Sequence, residues 1–368
     1  MIEEQKRILK LVEDGKLTAE EAILLIEKLS NVDSGMNQAE KEAEIRTELS
    51  AKVDYEHTRQ GSSFDQKATS VKNKFMDFVD SAFKKIKDMD LDFNFGDAIE
   101  VKHIFQHSNV NLTKIDLDVA NGSITIIPWG EKDVRIECDA KVYKIENQVR
   151  ARKAFLEDVR FSIEDGKLLF LIQQKQMKVN AKIYVPNENY ENVKVRMFNG
   201  PINGENLVVQ DFRAKTANGA VTVTNFVTTS MEVETANGHI KAENIESKEF
   251  EAETINGTVT VGGRFEKVDL QSFNGNITCS LAEDSCHTAY IKTTTGTIHV
   301  FVSDAYEVDG ELKSNLGSFK AELPVMSIIE EKNDIVQKSL RFKANQDKGN
   351  KLYLFAETKT GSIEIKPI

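Results

Sequence analysis

Histidines and cysteines are the side chains best suited to metal or nucleophilic chemistry, and this sequence spaces them poorly for either. His103 and His107 lie four apart in AIEVKHIFQH, which alternates like a β-strand. Strand geometry would separate them by about 13 Å, too far for one metal ion. Cys279 and Cys286 do not have a zinc-site spacing, and Cys279 falls at an apolar repeat position. We therefore predict no metal site, no cofactor and no catalytic centre.

A set of hydroxyl side chains recurs at intervals of 18 to 21 residues, each three positions before a glycine. The set comprises Thr216, Thr235, Thr254, Ser272 and Thr293. Stacked in register on an outer face, these side chains would form a hydroxyl ladder, and a flat hydroxyl surface could bind a polymer such as a glycan. The alternative is that threonine favours strands and hydrogen-bonds to its neighbours across them.

These hydroxyls belong to a repeated unit of the form T-x-N-G-x-[IV]-x-[VA], which we call a coil. Looser copies surround Gly122, Gly200, Gly296, Gly317 and Gly361. Asn-Gly suits a tight bend because both residues tolerate positive φ. The predicted turn residues are Asn218, Gly219, Asn237, Gly238, Asn256, Gly257, Asn274 and Gly275.

Apolar residues alternate on both sides of each glycine, at seven and five positions before it and two and four after it. Alternation of this kind predicts two half-buried strands per coil. A coil of about 19 residues cannot bury its own apolar face, so stacked neighbours must complete the core. We predict a mostly β fold, a single-chain β-solenoid over 91–368, with a β-rich insert at about 130–192. A meander of hairpins is the competing interpretation.

Charged residues occupy the outward positions of the coils. Acids and lysines are interleaved there, as at Lys215, Glu234, Glu253 and Lys292. Polysaccharide-active enzymes need carboxylates clustered on one face. The interleaving is instead typical of a solvated face, so an enzyme is not expected.

The N-terminal third has a different pattern. Residues 1–30 predict a small helical hairpin, with Thr18 and Glu21 as a capping box for its second helix. We expect this hairpin to self-associate or to bind a protein partner. Residues 31–65 are polar and predict a linker or an exposed helix.

Residues 66–90, which we call the amphipathic segment, predict a helix with one apolar face. Val71, Phe75, Phe78, Val79 and Phe83 follow helical spacing. Lysines flank this face and outnumber the aspartates. The lysines are Lys72, Lys74, Lys84, Lys85 and Lys87. Phenylalanine beside lysine is typical of a helix at an anionic membrane surface. The alternative is that the phenylalanines pack onto the solenoid or onto a second subunit.

Composition limits the class of protein. The chain has 368 residues and a net charge of −11, and a nucleic-acid binder needs a basic face, so we expect no nucleic-acid partner. The N-terminus lacks the apolar core of a signal peptide, and no run of 18 apolar residues occurs. We expect a cytoplasmic protein, free or peripheral at the inner membrane face.

The coils, together with the N-terminal sequence KRILKLVEDGKLTAEEAILLIEKL, resemble the YvlB/LiaX-like proteins of Gram-positive bacteria. The resemblance covers about 98–368 for the coils and about 1–30 for the hairpin. It implies the so-called adhesin β-solenoid domain, no catalytic residues to carry over, and a role in the cell-envelope stress response. The predicted function is a non-catalytic scaffold or interaction protein at the inner face of the membrane. The alternative is a surface adhesin or glycan-binding protein that uses the hydroxyl ladder.

The inward assignment of the apolar positions can be tested at Val259, two residues after Gly257. Val259→Asp should unfold the stack, because it buries a charge without a partner. Circular dichroism measures this, and a folded variant of unchanged stability would contradict the assignment.

Overall fold

The structure is a computed structural model that describes residues 97–282, 285–334 and 337–368. The predictions for 1–30, 31–65 and the amphipathic segment lie outside the described residues. Within these, the chain forms 21 strands and one helix. The prediction of a mostly β fold is therefore confirmed.

In the first part of the chain, three strands precede the helix and five follow it. This part contains β1 (Ala98–His107), β2 (Lys114–Trp129), β3 (Val134–Tyr143), α1 (Gln148–Asp158), β4 (Arg160–Glu164), β5 (Lys167–Ile172), β6 (Met177–Pro186), β7 (Asn189–Asn199) and β8 (Ile202–Glu205). Four central strands follow, and the last three of them have 16 or 17 residues because each continues from one side of a coil to the next. They are β9 (Val208–Asn218), β10 (Val221–Asn237), β11 (Ile240–Asn256) and β12 (Val259–Asn274).

The last part again has short strands. They are β13 (Ile277–Leu281), β14 (Thr288–Thr295), β15 (Ile298–Val302), β16 (Tyr306–Ser314), β17 (Phe319–Ala321), β18 (Ser327–Asn333), β19 (Lys338–Ala344), β20 (Asn350–Thr358) and β21 (Ile363–Pro367).

Successive coils pair in parallel, so that equivalent residues stack directly. Val221 pairs with Ile240, and Ile240 pairs with Val259. Period-2 alternation then places one side of every strand in the core. A meander would instead pair consecutive strands antiparallel, and the central pairings described here do not.

Two ladders of strands result. The front ladder runs β4-β5-β2-β7-β9-β10-β11-β12-β14-β20-β16-β19-β18. The back ladder runs β1-β3-β6-β2-β8-β10-β11-β12-β13-β15-β21-β17. Strands β2, β10, β11 and β12 belong to both ladders and join them around the coil.

The order of the last coils differs from their order along the chain. Strand β20 lies between β14 and β16, and β21 lies between β15 and β17. In chain order, β16 and β17 make the outermost coil, and the antiparallel β18–β19 hairpin follows. Strands β20 and β21 come last and lie between that outermost coil and the coil of β14 and β15. The region 323–352, predicted as an excursion or hairpin, therefore allows the final coil to be inserted.

The glycines of the repeat form one column, and steric contact fixes it. A Cβ atom on Gly238 would overlap the carbonyl oxygen of Gly219, and one on Gly257 would overlap that of Gly238. The sequence analysis explained the glycines by a positive φ at the Asn-Gly bend, and this explanation is wrong for the central coils. In the central coils positive φ occurs instead at a second corner, at Asn206, Asn225 and Asn244, whereas Gly122, Gly200 and Gly296 in the outer coils of the column do have positive φ.

The insert closes one end of the stack. Strands β5 and β6 pair in parallel with β2, while β4 and β3 add antiparallel edges. Helix α1 starts after Asn147, whose side chain accepts a hydrogen bond from the Arg150 amide, and it buries Ala151 and Phe155. The core continues through all coils, and Val259 and Cys279 are fully buried in it.

Substitution of one column glycine should separate two coils. Gly238→Ala places a methyl group against a backbone carbonyl that has no room to move, so we expect a loss of about 1–3 kcal/mol or more in the free energy of unfolding. Chemical denaturation measures this loss. Gly349→Ala is the matched control, because a Cβ there meets no atom within 4 Å. Equal stability of both variants would contradict the steric role of the column.

Candidate functional site

The hydroxyls predicted as an outward ligand face lie inside the coils. Thr235 and Thr254 are fully buried, and Thr216, Ser272 and Thr293 are nearly so. Each hydroxyl donates a hydrogen bond to a glycine carbonyl of the neighbouring coil, for example Thr235 to Gly219 at 2.9 Å and Thr254 to Gly238 at 3.1 Å. The outward placement is wrong because a residue three before the glycine shares the inward alternation of residues five and seven before it.

The predicted turn asparagines form a column of amides at the corner of the coils. Asn218 donates to Asn199 at 2.8 Å, Asn237 to Asn218 at 2.9 Å, and Asn256 to Asn237 at 2.8 Å. Asn274 continues the column by donating to Asn256 at 2.9 Å. Each amide is thereby paired along the stack, and this column is structural.

A second asparagine column stands at the next corner, and sequence reasoning missed it. Asn225 donates to Asn206 at 2.9 Å, and Asn244 donates to Asn225 at 3.1 Å. All three have φ between 54° and 58°, which asparagine tolerates better than most residues. The pattern was visible in the sequence, since an asparagine stands six residues after Gly200, Gly219 and Gly238.

Five carboxylates cluster on the outer side of the front ladder. They are Glu232, Glu234, Glu251, Glu253 and Asp269. We call this cluster the acidic band. Strand register creates it, because Glu232 pairs with Glu251 and Glu251 with Asp269, while Glu234 pairs with Glu253. Like charges directly opposite one another in a ladder are destabilising.

Two cations neutralise one edge of the acidic band. Lys215 Nζ lies 2.6 Å from Glu234 Oε1 and 2.9 Å from Glu232 Oε1. Arg213 Nε lies 3.3 Å from Glu232 Oε2. Although burial raises the pKa of Glu232, hydrogen bonds with Glu234 and Lys215 and the nearby positive charges hold that pKa well below its usual range.

Glu253 lies deeper in the acidic band and lacks such compensation. Its side chain is 3% exposed, and its Oε1 atom has no hydrogen-bond partner among the described residues. Burial, and next the carboxylates of Glu251 and Glu234, raise the pKa of Glu253 to about 9. This position was expected on a solvated face; the structure instead shows a buried carboxyl group that stays protonated at neutral pH.

Aromatic side chains continue the same column of the front ladder. Asp269 pairs in register with Tyr290, and Tyr290 pairs with Phe355. The Tyr290 and Phe355 rings stack with centroids 4.9 Å apart and an interplanar angle of 7°. Lys313 Nζ lies 5.1 Å from the Phe355 centroid on the far side. The outer face thus passes from acidic to aromatic along the stack.

Such a face can recognise a basic, partly apolar surface by charge and ring contact. Within the described ranges, no three metal-ligating side chains come together in a way that could hold a metal ion. The described part of the chain also has no helix with the length and apolar content needed to cross a membrane. The lysines and phenylalanines of the amphipathic segment lie outside the described residues.

Parallel coils, a glycine column and polar outer faces define a repeat protein with stacked β-coils. The chain belongs to the Toastrack DUF4097 family, whose model matches residues 112–364. A SHOCT-like domain model matches residues 3–33. The chain is 49% identical to the uncharacterized protein YvlB of Bacillus subtilis (strain 168), over 100% of this chain and 99% of that protein. The predicted YvlB-like relationship is confirmed.

Solved structures also match, with low identity and low TM-scores. A "putative adhesin" of Parabacteroides distasonis is 11% identical with a TM-score of 0.42, covering 74% of this chain and 98% of that one. A "putative adhesin" of Bacteroides fragilis is 13% identical with a TM-score of 0.34, covering 73% and 97%.

The burial of Glu253 predicts a pH-dependent stability. Its pKa is about 9 in the folded chain and about 4.3 in an unfolded chain. Its contribution is therefore fully present below about pH 4.3 and is lost as pH rises towards 9. Glu253→Gln should raise Tm relative to the parent chain, with a gain that grows from pH 5 to pH 9 and reaches at least about 2–4 °C.

Differential scanning calorimetry across this pH range measures the gain. Glu205→Gln is the matched control, because Glu205 is exposed on β8, and its Tm should follow the parent chain. A Glu253→Gln variant whose Tm difference does not change with pH would contradict the raised pKa.

Proposed function

We propose that the protein is a non-catalytic scaffold of the cell-envelope stress response, acting at the inner face of the membrane. Its coils wind as one β-solenoid, and its outer faces and N-terminal region bind partners. The observation that carries this proposal is the use of the repeated polar side chains. The threonine hydroxyls and the asparagine amides hydrogen-bond between coils, so the repeat maintains a rigid surface.

The link to envelope stress comes from the resemblance to the YvlB/LiaX-like proteins described above. The alternative function as a glycan binder depended on an exposed hydroxyl ladder. Those hydroxyls are buried, so the feature that favoured a glycan ligand is missing from the outer face.

Two segments outside the described residues supply the contacts in this proposal. The hairpin 1–30 binds a protein partner or a second copy of the chain. The amphipathic segment binds the anionic membrane surface, where each lysine near the leaflet adds about 1 kcal/mol. Its phenylalanines add burial in the headgroup region.

Co-sedimentation with vesicles tests the membrane contact. The full chain should sediment with vesicles that contain phosphatidylglycerol and should stay in solution with neutral phosphatidylcholine vesicles. Deletion of 66–90 should abolish binding to the anionic vesicles. A variant with Lys72, Lys74, Lys84, Lys85 and Lys87 changed to Gln keeps the apolar face and should bind at least 100-fold more weakly.

Binding by the full chain and the deletion variant to the same extent would overturn the assignment of the contact to 66–90. Absence of binding by the full chain would overturn the membrane proposal. Raising the salt concentration should weaken binding by the full chain, because the attraction between exposed charges is screened.

A further inference from the structure

We propose that a groove at the second corner of the coils, which we call the corner groove, binds a short neutral saccharide. The corner groove encloses about 650 Å³ and is centred on Gly262, between Asn244 of β11 and Ser280 of β13. Small-molecule sites have volumes of roughly 300–1,000 Å³. This site goes beyond the proposed function, and it is separate from the buried threonines of the repeat.

The corner groove exists because one coil departs from the repeat. The coil from Gly257 to Gly275 is one residue shorter than the three coils before it. The register between β11 and β12 shifts there, so that Glu243 and Asn244 together lie opposite Gly262. Bulges of this kind are common next to functional sites, where they change the direction of side chains. The shorter coil leaves open space at the corner instead of a further asparagine.

Two glycines lie at this point, and the fold requires only one of them. A Cβ atom on Gly263 would overlap the carbonyl oxygen of Ile245, so this position must be glycine. A Cβ atom on Gly262 would meet only the Cβ of Ser280, at 3.7 Å, which is an ordinary contact. Glycine inside a strand lowers stability. A strand glycine that packing does not require is typical of a place where a ligand approaches the backbone closely.

The corner groove offers both acceptors and donors of hydrogen bonds. Asn244 ends the second asparagine column; its Nδ2 donates along the column, and no described residue donates to its Oδ1. The carboxylates of Glu243 and Glu246 add acceptors, while the Arg264 guanidinium and the Ser280 hydroxyl add donors. Because a hydroxyl group both donates and accepts, a ligand with several hydroxyls can use both sets.

The charges around the corner groove cancel. Glu246 lies 3.7 Å from Arg264, and Glu243 lies 2.9 Å from Lys241. All four side chains are about half exposed, so these ion pairs are weak and leave their polar atoms open to a ligand. A neutral set of groups favours neither an anion nor a cation. Val227, which is 45% exposed, adds an apolar contact that suits the C–H groups of a sugar ring and is too small for a lipid chain.

Strand register sets the direction of the corner groove. Val227, Glu246 and Arg264 follow one another in register along one wall. Gly262 and Ser280 pair along the other wall. Four neighbouring strands, β10 to β13, contribute to the lining, and three spacings of about 4.8 Å make it about 14 Å long. The saccharide therefore lies along the stack, across several coils.

Saturation-transfer difference NMR of the full chain tests the site with three neutral trisaccharides, namely cellotriose, maltotriose and chitotriose. The parent chain should bind at least one of them. Gly262→Thr fills the corner groove and should weaken that binding at least ten-fold. The same variant should not lower the free energy of unfolding in chemical denaturation, because threonine is favoured in strands and a Cβ fits there. Gly130→Thr is the matched control; a Cβ there meets no atom within 4 Å, and binding should equal that of the parent.

A second variant removes a polar contact and does not fill the space. Asn244→Gly keeps a residue that tolerates positive φ and should also weaken binding at least ten-fold. Asn206→Gly, at the other end of the same column, is its control and should bind as the parent does. Absence of binding of all three trisaccharides by the parent would overturn the proposal. Equal binding by the parent and Gly262→Thr would overturn it as well.

Charged competitors test the class of ligand. Inorganic phosphate and spermidine, each at the concentration of the bound trisaccharide, should leave its signal unchanged, because the charges of the corner groove cancel. Displacement of the trisaccharide by either ion would indicate a charge-selective site and would contradict the neutral class.

Discussion

The close approach of successive coils at the glycine column is the constraint on which the rest of the structure depends. The backbone of Gly238 comes so near the carbonyl of Gly219 that even a methyl group would overlap it. At this distance each carbonyl can accept a bond from a short side chain, and Thr235 donates to that same Gly219 oxygen. The asparagine beside each glycine then meets its equivalent in the next coil. Glycine, threonine and asparagine thus form one interdependent unit.

Sequence reasoning was reliable where period and residue size determine the structure. The apolar positions around each glycine predicted the core, and Val259 and Cys279 are buried as expected. It was wrong at Thr254, because alternation along the strand, and not the polarity of the hydroxyl, decides that this side chain faces inward. Nor could it give the position of the final coil. The residues around Gly361 repeat the same pattern, and only the pairing of β20 with both β14 and β16 shows the insertion.

The acidic band shows a different limit of sequence reasoning. Lysine and glutamate are interleaved at equivalent positions of successive coils, as at Lys215, Glu234, Glu253 and Lys292, and this pattern predicted a solvated face. The stack brings together residues that are 19 apart, so Glu234 lies between Lys215 and Glu253, and Glu253 lies between Glu234 and Gln271 with no cation in register. Charge along a strand therefore says little about charge across a ladder. A parallel stack turns one tolerable glutamate per coil into a column of like charges.

The two ends and the outer face of the stack are treated differently, and this contrast bears on function. At one end, antiparallel strands and α1 cover the coils; at the other, the exposed strand β18 has a bulge between Ile328 and Glu330. A bulge and charged residues on an edge strand hinder pairing with further strands. The ends are therefore built to stop the stack. Between the ends, on the outer side of the front ladder, the side chains of Glu234 and Glu253 are buried. The register that pairs the threonines and asparagines of the repeat also sets Glu234 opposite Glu253 and leaves Glu253 Oε1 without a hydrogen-bond partner among the described residues, so in the acidic band the parallel stack costs stability instead of adding it.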